Sequence, residues 1–180
     1  MMIVSKAAKR YAKAFYAIAE EKGSVEAVKE SYEAVAQLLA NSAELVSALA
    51  SPLASQDQRG ELLKAIFSGK IDDLTLSQIL FLNSKDRADI LADLAKSFAS
   101  IYEQQNNIQR AELISAQALS AKELDSIIER LEKKTGKKIL AQTAVDASYI
   151  GGFRIALGDQ VFDYTIKTQL ENLQNNIVNS

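Results

Sequence analysis

Apolar residues recur every three or four positions from Ser5 to about Gln105, which is the period of an amphipathic helix. In the first stretch Tyr11, Phe15 and Ile18 share one face, and Gly23 supplies the stop. Five further stretches of the same period begin at Ser24, near Leu45, at Ser55, near Leu74 and near Asp86. Six short helices with short connections predict a helical bundle over residues 1–105.

A polar run at 104–107 ends the helical pattern, and the period then changes. Residues 110–118 and 137–145 alternate as strands do, and Ser120 with Glu123 forms a capping box that opens a helix between them. A last helix is predicted to begin after Asp163, at Tyr164 or Thr165. The sequence therefore predicts a mainly α chain with a small α/β domain over residues 106–180.

The stretch 145–163 contains three of the seven glycines. Gly151 and Gly152 allow a turn or bulge, and the alternating residues 153–157 after them predict a strand. Gly158-Asp159 is a tight-turn dipeptide in front of a returning strand. We therefore predict a β-hairpin in which these four residues are structural.

Composition narrows the possible chemistry. The chain has no Cys and no His, which excludes disulfides, thiolate zinc sites and Ser-His-Asp triads. Its net charge of −2 argues against nucleic acid or an anionic membrane as a direct partner. No window approaches eighteen apolar residues, and residues 1–5 lack the hydrophobic core of a signal peptide. We expect a cytoplasmic protein of a bacterial type.

The candidate ligand sites are weak. Gly151-Gly152 is followed by a strand pattern and not by the helix that a phosphate loop requires, and 135–138 lacks the earlier glycine of a P-loop. A carboxylate metal site at Asp146, Asp159 and Asp163 competes with the ordinary use of Asp in turns and helix caps. We expect no cofactor, no metal and no catalytic residue.

Three function classes remain open at this point. A small α/β enzyme would use Asp159 or Asp163 together with Lys137 or Lys138 near the hairpin. An RNA-binding module would use the basic residues of the first helix, but aromatic residues do not alternate with them. An interaction protein would bind a third amphipathic helix in a groove between the first and fifth helices. The candidate groove residues, which would otherwise be core, are Tyr11, Ala14, Phe15, Ile18, Leu76, Ile79, Leu80 and Asn83.

Three blocks resemble one family, the delta subunits of bacterial F-type ATP synthases, which are similar to the mitochondrial oligomycin-sensitivity-conferring protein. They are the opening helix 7–15, the central turn and helix at 49–53 and 62–63, and the glycine block 145–155 with its continuation 158–170. Order and spacing match along essentially the whole chain. Ala147 stands where the family commonly has proline, and 83–87 reads Asn-Ser-Lys-Asp-Arg where it often has Asn-Gly-Arg. Both departures fall in turns.

The resemblance implies a non-catalytic stator subunit, present in a single copy, that joins the catalytic head to the peripheral stalk. It implies that the N-terminal domain binds the N-terminal helix of an alpha subunit, in the groove described above. It also implies that the C-terminal domain binds the C-terminal region of the b subunit. Such a clamp resists rotor torque, so that proton translocation is coupled to ATP synthesis. The expected location is the cytoplasmic face of the bacterial plasma (inner) membrane, reached only through the complex.

Overall fold

Every regular element described between residues 5 and 107 is a helix. The structure is a computed structural model, and it describes residues 5–51, 54–158, 160–170 and 174. The helices of this region are α1 Lys6–Glu21, α2 Val25–Asn41, α3 Ala43–Ala50, α4 Gln56–Phe67, α5 Asp73–Ser84, a 3-10 turn Ala88–Ile90, and α6 Leu91–Gln105. The chain divides into two compact units, Met1–Glu103 and Gln104–Ser180.

Local sequence sets most of the helix boundaries. At α4, the Ser55 hydroxyl accepts from the backbone N–H of Gln58, and the Gln58 side chain accepts from the backbone N–H of Ser55. Ser24 stands at the start of α2, where its residue type predicts a side-chain cap, but this prediction is wrong because Ser24 makes no such hydrogen bond. Its backbone lies at φ −115° and ψ 23°, outside the extended region from which a serine reaches the first turn.

The core of the N-terminal unit is aromatic at its centre. The ring of Tyr32 lies 4.9 Å from that of Phe98, and Phe98 lies 5.6 Å from Tyr16. Leu63 and Phe67 of α4 are buried in the same cluster. These contacts place α1, α2, α4 and α6 around one hydrophobic interior.

The junction after α5 differs from the sequence-based expectation. The sixth helix was predicted to begin near Asp86, but Asp86 has φ +55° and α6 begins only at Leu91. The N–H of Arg87 donates to the carbonyl of Leu82 at 3.1 Å, and that of Asp86 to Asn83 at 2.9 Å. This is the pairing of a Schellman motif, which requires a left-handed residue at the position of Asp86. Aspartate tolerates that conformation better than most residues.

A four-stranded mixed sheet forms the centre of the C-terminal unit. Its elements are β1 Ile108–Ser115, α7 Ala121–Thr135, β2 Lys138–Val145, β3 Phe153–Leu157 and β4 Gln160–Asp163, in the strand order β2-β1-β3-β4. β1 and β2 run parallel through the α7 crossover, whereas β3 is antiparallel to β1 and β4. A mainly helical chain with a small α/β part is thereby confirmed.

One face of the sheet forms a core with α7. Leu113 of β1 pairs with Ile155 of β3, which pairs with Phe162 of β4, so all three side chains project from the same face. Leu131 of α7 packs among them. α7 begins at the predicted capping box and ends at Gly136, whose φ is +68°.

The predicted hairpin is present as β3 and β4, with Gly158 at φ +61° in its turn. Asp159, the other predicted turn residue, lies outside the described residues. A helix follows at 166–170, and the backbone N–H of Thr168 donates to the hydroxyl of Thr165 at its start. In the described part of the chain, no helix is both long and apolar enough to cross a membrane.

Candidate partner-binding surface

α1 and α5 are joined by one buried side chain. The Nε2 of Gln78 on α5 donates to the carbonyl oxygen of Phe15 on α1 at 3.3 Å. The Oε1 of Gln78 accepts from the Tyr32 hydroxyl on α2 at 2.9 Å. Burial raises the pKa of that hydroxyl, so it stays protonated and remains a donor. The amide therefore fixes how α1, α2 and α5 meet.

The four predicted groove residues of α1 differ in how far their side chains are exposed. Phe15 is buried, and its ring lies 6.0 Å from that of the half-buried Tyr11. Ala14 is exposed, and Ile18 is exposed at 39% despite being apolar. Together they form a strip that begins in the core and continues onto the surface.

The predicted residues of α5 point in other directions. Ile79 is 1% exposed and Asn83 5%, so both side chains are interior. The Nδ2 of Asn83 donates to the carbonyl of Gln56, and the Nε2 of Gln56 donates to the carbonyl of Asn83, each at 2.9 Å. Leu76 and Leu80 are half-buried against the core. The structure thus brings Asn83 to α4 and not to the surface of α1.

Phe81 is the apolar residue of α5 that lies beside α1, and sequence reasoning missed it. Its side chain is 46% exposed, and its ring lies edge-on to that of Phe15 at 6.4 Å. Gln78, three positions earlier, is a polar side chain in a strongly apolar helix and needs a hydrogen-bond partner, but Thr75 and Asn83 are polar in the same helix, so the sequence does not single out its face. Phe81, Ile18, Tyr11 and Phe15 define the α1–α5 strip.

A shallow depression of about 380 Å³ lies at one end of this strip. It is lined by Ala7, Arg10, Tyr11 and Ala14 of α1 and by Arg87 from the turn after α5. Both arginines are exposed. Within the described residues neither forms an ion pair with a carboxylate.

The glycines of the C-terminal unit shape the backbone. A methyl group built on Gly152 would overlap the carbonyl oxygen of Tyr164 and lie 2.8 Å from the Cα of Thr165. The Gly151 carbonyl accepts from the N–H of Ile166 at 3.0 Å. The glycine pair therefore brings two backbone segments close together at the start of the last helix.

The carboxylates near the hairpin serve turns. The N–H of Ser148 donates to Asp146 and that of Thr165 to Asp163, each at 2.9 Å. Hydrogen bonds from the side chain and backbone of Ser148 lower the pKa of Asp146, and those from the backbone and side chain of Thr165 lower the pKa of Asp163. Among the described residues no group of three or more acidic side chains is placed to hold a metal ion.

The enzyme alternative paired Asp159 or Asp163 with Lys137 or Lys138; Asp159 lies outside the described residues, and the pairs with Asp163 are not assembled. Lys138 lies on β2 and Asp163 on β4, at opposite edges of the sheet. Three strand spacings of about 4.8 Å each separate those edges. Lys137 lines a depression with Gln160 and Phe162 in which Asp163 has no part.

Exposed apolar side chains mark the C-terminal unit as well. Ile150, between β2 and β3, is 83% exposed, and Val145 at the end of β2 is 58% exposed. Ile150 borders an open trough of about 710 Å³ between the start of α7 and the 150–153 segment. Lys122 and Arg130 of α7 line its other side.

The sequence matches the family described as the ATP synthase delta (OSCP) subunit over residues 7–177. It is 36% identical over 172 residues to ATP synthase subunit delta of Chlorobaculum tepidum, covering 96% of this chain and 95% of that one. It is 35% identical over 166 residues to the subunit of the same name from Clostridium perfringens strain SM101, covering 92% and 93%.

The fold also recurs in a solved structure. A chain of the Toxoplasma gondii mitochondrial ATP synthase hexamer, solved by cryo-EM, superposes with a TM-score of 0.69 at 23% identity, covering 97% of this chain and 98% of that one. Likeness at that identity concerns the fold alone. Sequence matches over nearly the full length carry the assignment, and the chain belongs to the ATP synthase delta (OSCP) subunit family.

Proposed function

We infer that the chain is a non-catalytic stator subunit of an F-type ATP synthase. It links the catalytic head to the peripheral stalk and resists the torque of the rotor. The head therefore stays fixed while the rotor turns. The observation that carries this function is the family match over residues 7–177, together with relatives named as this subunit along 95% of their own length. The same match leaves the alternative of a small enzyme without support.

The N-terminal unit takes the N-terminal helix of the alpha subunit along the α1–α5 strip. The strip has what an amphipathic helix needs, since Tyr11 and Phe81 both pack on Phe15 and Ile18 follows one turn later on α1, so that apolar surface is exposed on both helices. Of the residues proposed from the sequence, Ala14 is exposed beside them. Leu76 and Leu80 support the strip from the core, and Ile79 and Asn83 hold α5 in place.

The helices α1 to α6 act as one six-helix bundle over residues 1–105. Support comes from their buried side chains, which form one cluster of contacts from Ala8 to Phe98. A single core makes the bundle a stiff platform, which a subunit that transmits torque requires.

The C-terminal unit, residues 106–180, contacts the C-terminal region of the b subunit. Exposed apolar residues favour this role, because a small α/β unit gains nothing from leaving Ile150 and Val145 in water. The subunit is present once per complex. It reaches the cytoplasmic face of the bacterial plasma membrane only through its partners.

Coupling measurements test this function. Membrane vesicles that contain the ATP synthase without this subunit should hydrolyse ATP but pump few protons. Adding the wild-type chain should restore ATP-driven pumping with little change in hydrolysis rate. The Phe81→Asp variant should restore less than a tenth of it, since a carboxylate would enter the apolar contact with the alpha helix.

A matched control has the same substitution elsewhere. Val46 on α3 is exposed at 40% and lies outside the α1–α5 strip, so Val46→Asp should restore pumping fully. If ATP hydrolysis itself disappeared without the subunit, a stator role would be overturned. If both variants restored proton pumping equally, the α1–α5 strip would not be the contact with the alpha subunit, but the stator role would stand.

A further inference from the structure

The contacts of α5 and of the turn after it place Arg87 beside α1. Gln78 meets Phe15, Phe81 packs on Phe15, and Arg87 lies beside Ala7 and Tyr11. The contacts of α5 therefore fall on Phe15, and the turn after α5 lies beside the first half of α1.

One end of the strip is basic. Arg10 and Arg87 flank the depression at the end formed by the first half of α1. A helix that lies along the strip therefore meets two positive charges at this end.

Arg87 is held where it is by the backbone. Its N–H closes the Schellman motif on Leu82, and the left-handed Asp86 before it turns the chain out of α5. Asp86 is anchored in turn by an ion pair with Arg59 of α4. The backbone of Arg87 therefore belongs to a fixed turn, from which its exposed side chain extends beside Ala7 and Tyr11.

We propose that Arg10 and Arg87 read an acidic residue at one end of the bound helix and so set the direction in which that helix lies. The occupant is an amphipathic helix with an apolar stripe and at least one carboxylate near the end that rests in the depression. Charge complementarity supplies direction, because the apolar strip alone would accept the helix either way round. This inference rests on the proposed function, in which that helix is the N-terminus of the alpha subunit.

Binding of a synthetic peptide of the alpha subunit N-terminus to the full chain tests the arginines. Arg10→Glu and Arg87→Glu should each weaken binding about three- to tenfold at low salt, and the difference should shrink as salt screens it. Lys122→Glu in the C-terminal unit makes the same change in charge and should bind like wild type. Replacing the acidic residues of the peptide by Lys should weaken wild-type binding and favour the two Glu variants.

Direction is measured by cross-linking. The chain has no cysteine, so single cysteines can be introduced by Ala7→Cys in the depression and by Ser77→Cys, one turn before Phe81 on α5. A cysteine at the acidic end of the peptide should form a disulfide with the first variant at least five times more often than with the second.

A failure of the directional role and a failure of the alpha contact give different results. If the peptide binds wild type but the arginine variants bind as tightly, or both cysteines cross-link equally, the directional role of Arg10 and Arg87 is overturned and the α1–α5 strip stands. If the peptide does not bind wild type, the alpha contact on the strip fails and the directional role fails with it.

Discussion

The side-chain amide of Gln78 donates to the main-chain carbonyl of Phe15 at 3.3 Å, inside the helical unit. A carbonyl of an α-helix already accepts from the N–H four residues later, so this one accepts twice. The same amide accepts from Tyr32 at 2.9 Å. One polar residue thus fixes the rotation of α5 against α1, and with it the position of Phe81 beside the exposed strip.

Replacing Gln78 by Leu should destabilise the N-terminal unit. The Tyr32 hydroxyl would lose its buried acceptor, at a cost of about 1–3 kcal/mol in the free energy of unfolding. Urea unfolding followed by far-UV circular dichroism measures the loss. Ser77→Ala, one position earlier on the exposed side of α5, should change stability by less than about 0.5 kcal/mol. Similar losses in both variants would mean that the buried amide has no special role.

Ile79 and Phe81 lie two positions apart on α5 and should respond to substitution in opposite ways. Ile79 is 1% exposed, so Ile79→Ala leaves a cavity in the core. This should lower the free energy of unfolding by about 2–5 kcal/mol. Phe81→Ala, at 46% exposure, should lose less stability and should lower the affinity for the alpha peptide. Calorimetric titration and urea unfolding on the same samples separate the two effects. A variant Ile79→Ala that is stable but fails to bind would contradict this assignment.

The orientation of α5 could not be predicted from the sequence. Its residues 74–82 are apolar nearly all the way round, so the period that reveals the buried face of α1 is absent. Only the tertiary hydrogen bonds of Gln78 and Asn83 decide which side faces α1 and which faces α4. For this reason the sequence predicted α5 itself correctly and left the identity of its surface residue, Phe81, undetected.

More of the C-terminal unit than of α5 could be predicted from the sequence. Its hairpin, capping box and glycine stop follow from local rules, and all three were predictable. The reason for two adjacent glycines was not, because Tyr164 and Thr165 approach Gly152 only after the chain has passed through β3 and β4. Contacts between distant residues explain what the local pattern leaves open.

Gly152→Ala should be far more costly than Gly136→Ala. Both glycines have positive φ, +83° and +68°, so each alanine carries a conformational strain of about 1–2 kcal/mol. Nothing lies within 4 Å of a methyl group on Gly136, whereas one on Gly152 would overlap the backbone of Tyr164. That overlap should add about 1–3 kcal/mol. Hydrogen exchange of the amides in β3 and β4 measures the difference, and equal losses would show that the backbone at 164–165 moves aside freely.

The capping box of α7 should make the stability of this helix depend on pH. The Oε2 of Glu123 accepts from the hydroxyl of Ser120 at 2.6 Å and from its backbone N–H at 2.9 Å. These hydrogen bonds lower the pKa of Glu123 from its usual value of 4.5. The stabilisation is therefore fully present above pH 4.5, and it is lost as the pH falls through the lower pKa of the folded state.

Glu123→Gln keeps an acceptor at this position but removes both the titration and the negative charge at the helix N-terminus. At pH 7 the α7 amides of this variant should exchange faster than those of wild type, and at pH 3 the two proteins should exchange alike once the intrinsic rates are corrected for pH. Glu129→Gln, in the middle of the same helix, controls for the loss of one negative charge. If the α7 amides of Glu123→Gln exchanged at the same rates as those of the control at both pH values, the carboxylate of Glu123 would contribute nothing beyond its charge. A difference confined to neutral pH would instead assign the stabilisation to the ionised capping box.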